Sequence, residues 1–187
     1  MNSRSLWDRL LEKDLEEGHL RLYDEVNVDS AEDILVFLNE IKRRKIKHIT
    51  LHISSPGGGA YYALAIYDAL KAFSNKEGNK ITAIVEGLAA SAACMIVLQA
   101  ADERLSYPNA RFLLHEIKRW AMFDIKTKSE LEDEVDEMIA LSDVIFNILS
   151  ERCDHTREEI EGLIKRKEFW MSAEEAKEWN LIDRVIE

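Results

Sequence analysis

Ile81-Thr82-Ala83-Ile84-Val85-Glu86-Gly87-Leu88-Ala89-Ala90-Ser91-Ala92-Ala93-Cys94 is the stretch on which the fold turns. Its opening is apolar and partly β-branched, which suits a buried strand. Gly87 breaks that run. Small residues follow, with Ser91 among them, and Met95-Ile96-Val97-Leu98 continues as a buried helix. A serine at such a strand-to-helix turn lies where unpaired N–H groups and the positive end of a helix dipole collect. Small neighbours allow another chain to approach its hydroxyl, so Ser91 can be a nucleophile or simply the helix N-cap. It is not the G-x-S-x-G elbow of the hydrolases, because Ala89 and Ala93 stand where that motif has glycines.

A second unit of the same kind precedes it. Ile49-Thr50-Leu51-His52-Ile53-Ser54-Ser55 reads as a strand and runs into Pro56-Gly57-Gly58-Gly59. A helix follows, with Tyr62, Ala65, Ile66, Ala69 and Leu70 predicted on one side. Two successive strand–turn–helix units imply parallel strands with right-handed crossovers. An earlier helix, capped by Asp29 or Ser30 and carrying Ile34, Leu38 and Ile41 on one face, gives a third crossover after the strand Leu20–Tyr23. Lys42-Arg43-Arg44-Lys45 closes that helix, where cations complement the dipole. Leu6–Leu11 is a short amphipathic turn or helix.

Beyond Ala101 the pattern changes. Arg104–Tyr107 and Arg111–His115 read as short strands around the turn Pro108-Asn109, and Phe123–Glu130 is polar and less regular. A long amphipathic helix carries Leu131, Val135, Met138, Leu141, Ile145 and Leu149. Thr156-x-x-Glu159 and Ser172-x-x-Glu175 are capping boxes, each opening a short helix, and Leu181–Ile186 ends the chain as a strand. The sum is one α/β domain: a mainly parallel sheet flanked by helices, with a long helix projecting late.

Composition narrows the function. The net charge of −11 argues against a nucleic-acid surface and against anionic membranes. No apolar run reaches the roughly 18 residues that span a bilayer. Met1–Glu17 is too polar for a signal peptide. Cys94 and Cys153 form no C-x-x-C, which leaves metal and disulfide-scaffold roles unsupported and a reducing cytoplasm as the default.

The chemistry-bearing residues gather in one respect. Gly57-Gly58-Gly59 joins a strand to a helix, where glycines permit positive φ and present bare N–H groups to a phosphate or an oxyanion. It is neither G-x-x-x-x-G-K-[ST] nor G-x-G-x-x-G. His115 ends the apolar strand Phe112-Leu113-Leu114. Functional groups in parallel sheets collect at the carboxyl ends of strands, and Gly58, Ser91 and His115 all fall there.

Ile53–Gly58, followed by Ala65-Ile66-Tyr67-Asp68, resembles the proteolytic subunit of the Clp protease family. So do Glu86–Ala93, Tyr107–His115 and the ending Met171–Ala176 with Leu181-Ile182-Asp183. The resemblance runs in order from about Leu6 to the end. It implies a crotonase/Clp-protease-like fold with a head of about 1–115 and 156–187 and a handle of about 116–155. It also implies a serine peptidase with Ser91 as nucleophile, His115 as general base, and the backbone N–H groups of Gly58 and Ala92 as oxyanion donors. No metal or organic cofactor is required. The implied partners are polypeptide substrates, further copies in a heptameric or double ring, and an ATPase unfoldase. A catalytically weak structural subunit of such a ring is the alternative. An acyl-CoA enzyme of the crotonase fold is a third reading, against which the Ser91–His115 order counts.

Departures from the family are specific. Its triad aspartate falls on Leu163 or Ile164, so no acid matches; Glu161 or Glu168 could reach His115 instead. Only Met1–Ser5 stand ahead of Leu6, where the family has an axial-pore segment. Glu116-Ile117-Lys118-Arg119-Trp120 replaces a glycine-containing segment after the histidine.

Overall fold

Burial alternates along His48–Ser55, with Ile49, Leu51, Ile53 and Ser55 turned inward, so this run lies as a strand over a core. The computed structural model describes residues 6–118 and 125–187, and the Met1–Ser5 and Arg119–Asp124 segments of the sequence reading lie outside them. In chain order, α1 (Leu6–Glu17), β1 (His19–Leu22), α2 (Val28–Arg44), β2 (His48–Ser55), α3 (Ala60–Ser74) and β3 (Lys80–Ala90) build the repeated units. A π-helical turn at Ala93–Val97 and a 3₁₀ turn at Leu98–Ala100 follow. Then come β4 (Glu103–Ser106), β5 (Arg111–Leu114), α4 (Lys128–Ser150), α5 (Arg157–Ile164), β6 (Phe169–Ser172), α6 (Ala173–Glu178) and β7 (Arg184–Val185).

Among the described residues, the strands form one sheet in the order β1-β2-β3-β4-β7, with β5 on the far end of β3 and β6 on β5. All pairs are parallel except β5–β6. The α/β, mainly parallel architecture of the sequence reading is therefore present. Its core holds Ile34, Leu38 and Ile41 of α2, Ile66, Leu70 and Phe73 of α3, and the inward residues of the strands.

Several local expectations are corrected. Gly87 does not end its strand. β3 runs on to Ala90 because its second half finds a new partner, Leu88–Ala90 pairing with Arg111–Leu113. The buried face of α3 is Ala63, Ile66, Leu70 and Phe73; Tyr62 and Ala65 are exposed. The buried segment after Ser91 is π and 3₁₀ rather than α. α2 is capped by Asn27, whose side chain accepts the Ser30 N–H while the Ser30 hydroxyl accepts the Asn27 N–H, so the helix starts before Asp29. Both predicted capping boxes form, and Thr127 with Glu130 makes another at the start of α4. The final strand shrinks to Arg184–Val185, and β6 is a strand that local periodicity did not show.

α4 divides in two. Leu141, Ile145, Phe146, Ile148 and Leu149 are buried against the domain. Leu131, Val135 and Ile139 stand exposed on the earlier turns.

The chain end is locked by a buried cation. Arg104, 4% exposed, donates from Nη2 to Asp183 Oδ1 at 2.6 Å and from Nη1 to Gln99 Oε1 at 2.7 Å and to the Arg152 carbonyl at 3.2 Å. The Arg104 backbone N–H also donates to Asp183 Oδ2, at 2.6 Å. Burial works against the Asp183 charge, but the Arg104 donors outweigh it and hold the carboxyl below its ordinary value of 3.8. A carboxyl lowered in the folded state contributes stability above its unfolded value and loses it as pH falls through the folded one. Asp183→Asn should therefore cost about 1.5–3 kcal/mol at pH 7. The gap from wild type, read from urea unfolding midpoints, should narrow as pH falls below the ordinary carboxyl range.

Candidate active site

The pocket is assembled by three strand ends. β2 ends at Ser55, and Pro56–Gly59 turns back toward it. Val26 accepts the Gly59 N–H at 2.7 Å and donates to the Gly57 carbonyl at 2.8 Å. Those two bonds occupy the amide after Gly58 and the carbonyl before it, and leave the Gly58 N–H without a ladder partner. Two of its positions, Gly57 and Gly58, have room for nothing larger than glycine. A Cβ on Gly57 would lie 2.4 Å from the Ala90 carbonyl oxygen and 2.7 Å from Ser91 Cβ, and one on Gly58 would lie 2.3 Å from the Val26 carbonyl oxygen. Both residues also sit at positive φ, 86° and 151°.

Ser91 stands at φ 52°, a left-handed conformation that a serine adopts only where its surroundings hold it. Its N–H donates to the Leu113 carbonyl at 2.9 Å, and its own carbonyl accepts from Cys94 at 3.0 Å and Met95 at 2.8 Å. The turn is thus tied to β5 on one side and to the following helical turn on the other. No side chain caps that helix start, so the N-cap role open to Ser91 in the sequence is not taken. The Ala92 N–H is one of the donors that the first turn of a helix leaves unpaired.

His115 follows the last residue of β5. Its Nδ1 lies 2.5 Å from the Glu116 carbonyl oxygen. A carbonyl only accepts, so this contact assigns the ring proton to Nδ1 and leaves Nε2 as an acceptor. Gly58, Ser91, Ala92 and His115 all line one pocket of about 380 Å³. Its far wall comes from α4, through Met138, Leu141 and Ile145, and its floor from Met95 and Ile96. Tyr61 closes one side, its hydroxyl hydrogen-bonded to the Glu137 carboxylate of α4. The sequence reading missed this wall. Its signal was the spacing of Met138, Leu141 and Ile145 along one face of the long helix.

Neither aliphatic residue at the family's acid position departs from a packing role. Ile164 is buried and Leu163 packs on the core. Glu161 accepts from Arg157 Nε at 2.6 Å. Cys94 offers no rival nucleophile, because complete burial pushes its thiol up to about 12. Among the described residues, no group of three or more His, Cys, Asp or Glu side chains is placed to hold a metal ion.

The family model for the Clp protease matches residues 2–187. The chain belongs to the Clp protease family. Its Clp relatives include the ATP-dependent Clp protease proteolytic subunit of Bacteroides thetaiotaomicron, 29% identical over 87% of this chain and 70% of that one. The ATP-dependent Clp protease proteolytic subunit 3 of a Synechococcus strain is 33% identical over 75% of this chain and 67% of that one. Among solved Clp structures, a point mutant of ClpP1 from Listeria monocytogenes superposes with a TM-score of 0.81 at 26% identity, covering 95% of this chain and 96% of that one. The Clp-protease-like fold expected from the resemblance is thereby met.

The tight loop yields a direct test. Gly57→Ala forces a Cβ against the Ala90 carbonyl and Ser91, at a φ that alanine resists. It should cost more than about 1 kcal/mol in denaturant unfolding, and it should slow labelling of Ser91 by an active-site serine probe.

Proposed function

We propose that this chain is a serine peptidase that hydrolyses peptide bonds of unfolded proteins or peptides, with Ser91 as nucleophile and His115 as general base. The observation that carries this reading is the convergence of Ser91, His115, Gly58 and Ala92 on one pocket. His115 Nε2 takes the Ser91 proton as Oγ attacks the scissile carbonyl, and then gives it to the leaving amine. The Gly58 and Ala92 N–H groups receive the oxyanion, where one such donor is worth about 2.7–4 kcal/mol. Water then resolves the acyl-enzyme by the same route. The apolar floor and α4 wall suit an aliphatic side chain beside the scissile bond.

The chain works as one subunit of a homo-oligomeric ring in the cytoplasm, either heptameric or stacked as a double ring. The exposed Leu131, Val135 and Ile139 on the outer half of α4, the handle of this reading, supply apolar surface for a neighbouring copy. An ATPase unfoldase delivers the substrate, in keeping with the words "ATP-dependent" in the relatives' names.

A fluorophosphonate should label the wild type and leave Ser91→Ala unlabelled. His115→Ala should lower peptide turnover by about 10²–10⁴-fold. Equal absence of labelling in wild type and Ser91→Ala, in an assembled sample at neutral pH, would overturn the peptidase reading in favour of a structural subunit. Light scattering should report an oligomer; a persistent monomer at micromolar concentration would contradict the ring.

A further inference from the structure

We propose that Glu168 is the positioning carboxylate of the Ser91–His115 pair, supplying from the strand beside His115 the negative charge that Leu163 and Ile164 cannot. This deepens the peptidase reading and rests on it. The juxtaposition comes from strand register. The antiparallel β5–β6 pair sets Arg111 against Ser172 and Leu114 against Phe169. The two strands end at that pair; continued one step beyond them, the same register would oppose His115 to Glu168, and directly opposed residues in an antiparallel pair share a face.

Side-chain contacts fasten the two segments beyond that last pair. The Arg166 N–H donates to the Glu116 carboxylate at 2.8 Å. Lys118 Nζ donates to Glu168 Oε1 at 2.9 Å, and Trp170 Nε1 donates to Oε2 at 3.3 Å. Both oxygens of Glu168 are therefore held. The Lys118 and Trp170 hydrogen bonds, then the Lys118 charge and the His115 ring, keep this carboxyl below its ordinary range, so it is ionised when His115 works.

His115 needs such a charge. Its Nδ1–H donates a hydrogen bond to the Glu116 carbonyl, which fixes the tautomer but offers only a dipole. Once the ring has taken the Ser91 proton it is a full cation, and an anion across the strand pair lowers the energy of that state. The other acids of the pocket wall and the neighbouring segments also have partners of their own. The Glu116 carboxylate accepts from Arg166. On α4, which faces the pocket, Glu137 accepts from Tyr61 and Glu134 pairs with Lys126. Glu161 is taken by Arg157. Among the described residues, Lys118 is the cation on His115's own segment that opposes Glu168, so removing Lys118 and removing Glu168 have opposite effects on the ring.

The test is an NMR titration of the His115 ring in the full-length chain, assigned with His115→Ala, alongside peptide kinetics. In Glu168→Gln the His115 midpoint should fall by about half a pH unit or more. Its kcat should fall about tenfold with KM little changed, well short of the roughly 10⁴-fold loss seen when a buried triad aspartate is neutralised. Glu168→Asp should restore most of both, and Lys118→Met should move the midpoint upward. An unchanged midpoint in Glu168→Gln would overturn the proposal, as would a midpoint that moves in Glu137→Gln alone. The ring can be titrated equally in a Ser91→Ala background. Failure of fluorophosphonate labelling therefore sinks the peptidase reading, while a static midpoint sinks only the role of Glu168.

Discussion

The hydrogen bond from the Ser91 N–H to the Leu113 carbonyl, 2.9 Å long, is the constraint on which the site depends. It exists because β3 is eleven residues long and serves two partners in succession. Its first half pairs with β4 and its second half with β5. Carrying β5 alongside the end of β3 brings the residue after Leu114 to the residue after Ala90. The bond also uses up the Ser91 amide. A turn held this way keeps a serine at φ 52°, and rigid support of that kind is what makes a hydroxyl available without rearrangement.

Close approach does the rest. β2 pairs with β3 in register from His48 to Ile53, then slips, so that Ser55 faces Ala89. The slip lets the glycine loop fold over the Ser91 turn with backbone against backbone. Any side chain at Gly57 would occupy the space of the Ala90 carbonyl. The close approach of the loop to the Ser91 turn thus depends on the absence of a Cβ at Gly57.

Electrostatics at the histidine follow a different layout from the buried acid of a serine triad. The carbonyl next along the chain orients the ring, and the segments around it are joined by exposed charges, Lys118 to Glu168 and Glu116 to the Arg166 amide. Exposed pairs are screened and individually weak. Ile164 is buried in the core and Leu163 packs against it.

What the sequence by itself determined is short-range. Capping boxes at Thr156 and Ser172, the apolar face of α2, the glycine loop after a strand and the strand ends carrying Ser91 and His115 are all set by neighbours a few residues apart. Periodicity, caps and turn chemistry act over that distance. Gly58, Ser91 and His115 could therefore be picked out, and the ordered motifs gave their family. Only the tertiary structure decided which way α3 turns, that β3 continues past Gly87, and that Met138, Leu141 and Ile145 wall the pocket. Each of these is a choice of partner between segments dozens of residues apart. Side-chain period alone cannot set the register of such a pairing; burial of the whole domain does.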